Sequence, residues 1–175
     1  TGTPDNWDEW AQVVQATIEH VSGRQGLNIP NVYYEVWNEP DLFGQWKTYG
    51  TKNYLTLYHY AAIGAQQASN TQPYKFGGPS TTNLYPNWHS KFIDYVDQHK
   101  LRLDFYSWHL YDQDLDTFAQ TYQAFDRLMR RYPDYFFTIE PMITEWGPAS
   151  ELSAAYDSNI GAAHLVATST VLSPN

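Results

Sequence analysis

The sequence predicts an α/β fold of about four parallel βα units, half of an eightfold (β/α)₈ TIM barrel. Three observations predict it. Short runs rich in Val, Tyr, Phe and Trp alternate with longer segments of helical period, and regular βα alternation implies parallel strands with right-handed crossovers. Each aromatic run ends on polar and turn residues, as strand ends do when chemistry is placed at the carboxyl edge of a parallel sheet. At 175 residues the chain is too short for a closed barrel, which takes roughly 250. One partial catalytic domain over residues 1–175 is the expected organisation.

Residues 5–22 read as the first helix. Asp5 is the expected N-cap, Asp8 and Glu9 suit the first turn, and Trp7, Trp10, Val14, Ile18 and Val21 form one stripe. Gly23 and Gly26 end it. VYYEVWNEPDL, residues 32–42, is the first strand, and Pro40 must stop it because proline cannot donate to a ladder. Residues 41–50 form a turn-rich loop holding Phe43 and Trp46. The helix expected over 52–69 turns Leu55, Tyr58, Ala62 and Ala65 inward. YKFGGPS (74–80) is a strand ended by Gly-Gly-Pro, 87–98 a helix with Trp88, Phe92 and Tyr95 or Val96 inward, and LDFYSWHLY (103–111) the next strand. A helix follows over 116–131, with Phe118, Tyr122, Phe125 and Met129 on one stripe. The last strand is expected within 136–146 and the last helix over 153–172, interrupted at Gly161.

Composition narrows the function. Hydrophobic residues make up 42% and aromatics 17%, which fits a folded globular chain. Seven Trp and fifteen Tyr suit a carbohydrate binder, although most must fill the core. A net charge of −9 argues against nucleic acid and anionic membranes as partners, and no apolar run is long enough to span a bilayer. The chain opens Thr1-Gly2 without Met and shows no signal peptide, so a mature product or an excised piece is expected. It has no cysteine and no Asn-x-Ser/Thr sequon.

Two carboxylates draw the chemistry together. Glu39 ends the VYYEVWNEP strand, and Glu145 ends MITEWG, 106 residues later. Paired carboxylates on strand ends of one sheet are what glycoside hydrolysis needs: one protonates the departing oxygen, the other attacks the anomeric carbon or activates water. A separation of about 5 Å gives retention of configuration, and roughly 6.5–9.5 Å gives inversion. Strand alternation puts Trp37 and Glu35 on the face of Glu39, Ser107 and Tyr111 on that of His109, and Ile143 on that of Glu145. The inward set is then Glu39, His109, Tyr111 and Glu145, with Asn38 adjacent. Asn38 is placed to bind a sugar hydroxyl, Tyr111 to donate to Glu145, and His109 to bridge the nucleophile or a hydroxyl; a buried core histidine is the alternative for His109. Trp46 is a candidate sugar platform, with loop packing as its equal alternative, and Trp146 is a second candidate sugar contact. Glu35 reads as a structural inward charge one layer below. The remaining histidines show no paired-ligand spacing, so neither a metal nor a cofactor is expected, and there is no P-loop, GxGxxG or GxSxG motif.

Through these motifs the chain resembles the clan A glycoside hydrolases, most closely glycoside hydrolase family 39, which contains β-xylosidases and α-L-iduronidases. The run from Trp7 through His20 and Arg24 to YYEVWNEPDLFG is similar to the family's third helix and fourth strand. FGGPS is similar to its fifth strand, DFYSWHLY to its sixth and ITEWG to its seventh. The resemblance implies Glu39 as acid/base and Glu145 as nucleophile of a retaining glycosidase, with Asn38, His109 and Tyr111 around them. It also implies a fragment lacking strands one to three and eight, whose open side other chain segments, a partner or a second copy would complete. The implied substrate is an oligo- or polysaccharide of plant or microbial origin, and from that class a secreted or extracellular setting follows. An inactive carbohydrate-binding half-barrel is the second reading, and a purely structural barrel piece the third.

Overall fold

The structure is a computed structural model that describes residues 2–173. It has one four-stranded parallel sheet in the order β1-β2-β3-β4: β1 Val32–Glu35, β2 Tyr74–Thr81, β3 Phe105–Tyr111 and β4 Glu140–Gly147. Six helices accompany it: α1 Trp7–Val21, α2 Tyr54–Gln67, α3 Pro86–His99, α4 Leu115–Met129, the single turn α5 Pro133–Phe136, and α6 Asn159–Leu172. The sheet curls as half a barrel. Its two edge strands meet through side chains on the concave side: Tyr33 Oη donates to Glu140 Oε2 at 2.9 Å, and Thr144 Oγ1 to Glu35 Oε1 at 3.2 Å.

The amphipathic stripes dock the helices on the convex face. Ile18, Tyr54, Tyr58, Ala62, Phe76, Phe92, Val96, Tyr106, Trp108 and Phe125 form one buried cluster between sheet and helices. Burying an aliphatic or aromatic side chain this way is worth about 1.5–3 kcal/mol each. α1 and α2 cross closely because Gly64 has no Cβ; one built there would sit 2.1 Å from the Ala11 carbonyl oxygen. Gly77 plays the same part in the sheet, where a Cβ would meet the Phe105 carbonyl oxygen at 2.1 Å.

Several boundaries differ from expectation for local reasons. The cap of α1 is Asn6, not Asp5: its side chain accepts from Asp8 N at 2.9 Å. β1 ends at Glu35 rather than running to Pro40, because Trp37 (φ 73°) and Glu39 (φ 44°) take left-handed conformations that leave the ladder. Residues 136–139 are not strand, since Pro133 opens the helical turn α5 and pairing resumes only at Glu140. The last helix begins at Asn159, not near Ser153, because Ser158 caps it by accepting from Ile160 N at 3.2 Å. Gly161 lies inside its first turn and does not interrupt it. A Cβ there would lie 2.7 Å from the Tyr156 carbonyl oxygen, so the preceding loop packs onto the bare backbone.

Candidate active site

The carboxyl ends of the four strands converge on one polar network. Two irregularities in the sheet aim it. Between β2 and β3 the register slips from Pro79 to Thr81, so Ser80 is the extra residue of a bulge and takes φ 55°. Between β3 and β4 the register passes from Ile143 opposite Trp108 to Glu145 opposite His109, which makes Thr144 the extra residue. A bulge re-aims the side chains beside it. Ile143 therefore packs with Trp108 on the helix-covered core, while Thr144 and Glu145 both face the concave side. The expected sharing of one face by Ile143 and Glu145 is overturned by that inserted residue.

Glu39 reaches the network from a loop rather than a strand. Its amide donates to the Ser80 carbonyl at 2.9 Å, and its own carbonyl accepts from the amides of Leu42 (2.9 Å) and Phe43 (2.7 Å). These bonds hold a left-handed glutamate, a conformation costing on the order of 1–3 kcal/mol, which persists only where surroundings enforce it. The expected inward placement of Trp37 by alternation fails for the same reason. Its indole turns into the loop, donating to the Phe43 carbonyl at 2.8 Å and meeting the Trp46 ring edge-on at 5.5 Å. Trp46 is fully buried in that contact, with Lys52 over its ring. A ring with no exposed face cannot serve as a sugar platform, so loop packing is the correct alternative.

His109 sits at the centre, fully buried. Its Nδ1 is 2.8 Å from Glu39 Oε1 and 3.3 Å from Glu145 Oε2, and its Nε2 is 3.0 Å from Ser80 Oγ. Tyr111 Oη donates to the same Glu145 Oε2 at 2.9 Å. Burial first, then the hydrogen bond to Glu145 and the charge of that group, push the Tyr111 phenol up to about 12. It stays a donor through any physiological pH. Glu39 is buried, whereas the Glu145 side chain is 42% exposed toward the cavity. One oxygen of each carboxylate and Nδ1 of His109 all lie within 4.8 Å of one another. That spacing also accepts a divalent cation, and these three residues are where one would be held.

A cavity of about 860 Å³ opens over the carboxylates. Asn38 and Tyr111 line it, together with Asp41, Thr82, Asn83, Tyr85 and the exposed Leu42 and Phe43. Trp146 lines a neighbouring cavity with Tyr111, Ser150 and Glu151, which also border the main one. Its partner across the ladder is Leu110, and its ring packs on Phe118 and His164 at 6.3 Å from each, on the helix side of the strand. Glu35, expected one layer below, is there, accepting from Thr144. Two members of the network were not anticipated from the sequence. Ser80 follows Gly-Gly-Pro at a strand end, the signal that singled out Glu39 and Glu145. Asp41 lies in the loop after Pro40; its carboxylate accepts from Thr82 N at 3.0 Å and Thr82 Oγ1 at 2.5 Å and ties the β1 loop to that after β2.

The family model "Glycosyl hydrolases family 39" matches residues 2–160. A β-xylosidase of Caldicellulosiruptor saccharolyticus is 30% identical over 113 residues, covering 64% of this chain and 22% of its own. A β-xylosidase of Geobacillus stearothermophilus is 27% identical over 110 residues, covering 62% and 21%. The chain thus spans about a fifth of the length of these curated relatives. Among solved structures, a glucosidase from Croceicoccus marinus superposes with a TM-score of 0.72 at 21% identity, over 96% of this chain and 36% of that one. N2152 from Neocallimastix frontalis does so at 0.59 and 18%, over 80% and 32%. At these identities the two structures speak to the fold alone.

Proposed function

The chain belongs to glycosyl hydrolases family 39, and from that premise we propose that Glu39 and Glu145 hydrolyse a β-linked xyloside with retention of configuration. The observation that carries the proposal is the approach of the two carboxylates, one oxygen of each lying within 4.8 Å of the other. Inversion needs roughly 6.5–9.5 Å, to admit a water between the sugar and the base. The relatives named β-xylosidase supply the sugar.

The contacts distribute the roles. Glu145 spends Oε2 on Tyr111 and His109, leaving Oε1 to attack the anomeric carbon. Glu39, protonated, gives its proton to the glycosidic oxygen as that bond breaks, so the leaving group departs as an alcohol and Glu145 holds the glycosyl ester. Glu39, now a carboxylate, takes a proton from water while the water oxygen attacks the anomeric carbon and releases Glu145. The sugar leaves with its original configuration, Glu39 is protonated again, and one water has been consumed. Asn38 on the cavity wall offers a donor for a sugar hydroxyl.

The test is the anomeric configuration of the first-formed product from an aryl β-xyloside, read by proton NMR before mutarotation. β-Xylose first is expected; α-xylose first would overturn retention. Sugar binding with no turnover in the unaltered protein would favour a carbohydrate-binding role instead.

A further inference from the structure

We propose that Ser80 is a positioning residue that fixes His109 in its Nδ1–H tautomer and thereby decides which oxygen of Glu39 carries the catalytic proton. The proposal rests on the reading of Glu39 as acid and base.

Ser80 Oγ is fully buried and lies 3.0 Å from His109 Nε2, with no other hydrogen-bond partner among the described residues. A hydroxyl can donate to a bare ring nitrogen or accept from a protonated one. If it accepted, its own hydrogen would have nowhere to go, and a buried donor left unmade is costly. The opposite end of the ring gives the same answer. With the proton on Nε2, the Nδ1 lone pair would face Glu145 Oε2 at 3.3 Å, and would face Glu39 Oε1 at 2.8 Å as well whenever Glu39 is ionised. With the proton on Nδ1, both contacts are attractive, and Ser80 donates its hydrogen to Nε2. The bulge that makes Ser80 an extra residue of β2 places it for this, and its amide is anchored on Ser107 Oγ at 3.1 Å.

One consequence follows for the reaction. An Nδ1–H donor keeps Glu39 Oε1 an acceptor, whether that carboxyl is neutral or charged. The proton then resides on Oε2 alone, leaves from Oε2 to the glycosidic oxygen, and returns to Oε2 from water. His109 neither gains nor loses a proton in the cycle.

The experiment is ¹H–¹⁵N NMR of the imidazole nitrogens in the full chain with ¹⁵N-labelled histidine, for the wild type and Ser80→Ala. The wild type is expected to show His109 with its proton on Nδ1. Ser80→Ala is expected to lose that preference, with kcat for an aryl β-xyloside falling about tenfold, as the loss of one hydrogen bond would give, and KM unchanged. A wild-type proton on Nε2, or a Ser80→Ala spectrum identical to wild type, overturns the proposal. The wild-type spectrum decides the tautomer even if the variant does not fold. It also needs no turnover: an Nδ1–H ring in an inactive protein would sink the glycosidase reading alone, and an Nε2–H ring in an active one would sink this assignment alone.

Discussion

Tyr111→Phe removes one oxygen and tests how Glu145 is held. The lost bond is 2.9 Å long and ends on Glu145 Oε2. A hydrogen bond to a charged group contributes about 1.5–3 kcal/mol. Because the Glu145 side chain is 42% exposed, water replaces part of it, and the low end applies. About 1.5 kcal/mol corresponds to a loss of kcat/KM of roughly tenfold, at 1.36 kcal/mol per decade. The assay is initial-rate hydrolysis of an aryl β-xyloside by wild type and variant. The same substitution has a signature in stability. In the folded protein the Tyr111 phenol is raised from 10.0 to about 12, so the folded state holds that proton more tightly than the unfolded one. Its contribution is complete below pH 10 and is lost as the pH rises from 10 to about 12. Tyr111→Phe should therefore remove its share of the alkaline limb of a urea-midpoint profile, leaving the fall due to Tyr132, also raised to about 12, and to buried Tyr54 and Tyr58. A variant with full kcat/KM and an unchanged alkaline limb would refute the assigned contact.

Glu145→Gln should abolish turnover, whereas Glu39→Gln should still form the glycosyl ester from a substrate with an activated aryl leaving group and release it about 10²–10⁴-fold more slowly; burst kinetics separate the two, and equal residual rates would contradict the division of roles. Trp46→Ala removes a fully buried ring and should cost about 3–5 kcal/mol in unfolding free energy; a variant that keeps its Tm but loses sugar affinity would restore the platform role. His89 is buried against Tyr106 at 4.9 Å. Burial drops its pKa from 6.5 to about 3. The folded state thus refuses a proton that the unfolded chain accepts, and stability should be complete above pH 6.5 and decline toward pH 3; His89→Phe should remove part of that decline in acid denaturation followed by circular dichroism. Gly77→Ala should prevent β2 and β3 from pairing, because its Cβ would lie 2.1 Å from a backbone oxygen; a soluble variant with native Tm would count against the β2–β3 register.

The chain carries its α/β rhythm openly. The stripes Trp7-Trp10-Val14-Ile18 and Phe118-Phe125-Met129, and the runs YKFGG and FYSWHLY, put helices and strands where the structure has them, because amphipathic period and aromatic content act locally. The convergence of Glu39, His109, Tyr111 and Glu145 was legible too, since each closes a strand or its loop and parallel strands gather their carboxyl ends on one side. Other features had no local signal. Nothing in PSTT or MITEW announces a bulge, yet the extra residues Ser80 and Thr144 decide that Ser80 meets His109 and that Glu145 parts from Ile143. Nothing in VWNEP announces the left-handed turn at Trp37 and Glu39, which depends on bonds to Ser80, Leu42 and Phe43. Trp46 could be read as a sugar contact because an aromatic residue has the same local preference whether its face is wet or covered. Which element the chain forms follows from neighbours along the polymer; which way a side chain points at the end of that element follows from neighbours across the sheet, and only the assembled fold supplies those.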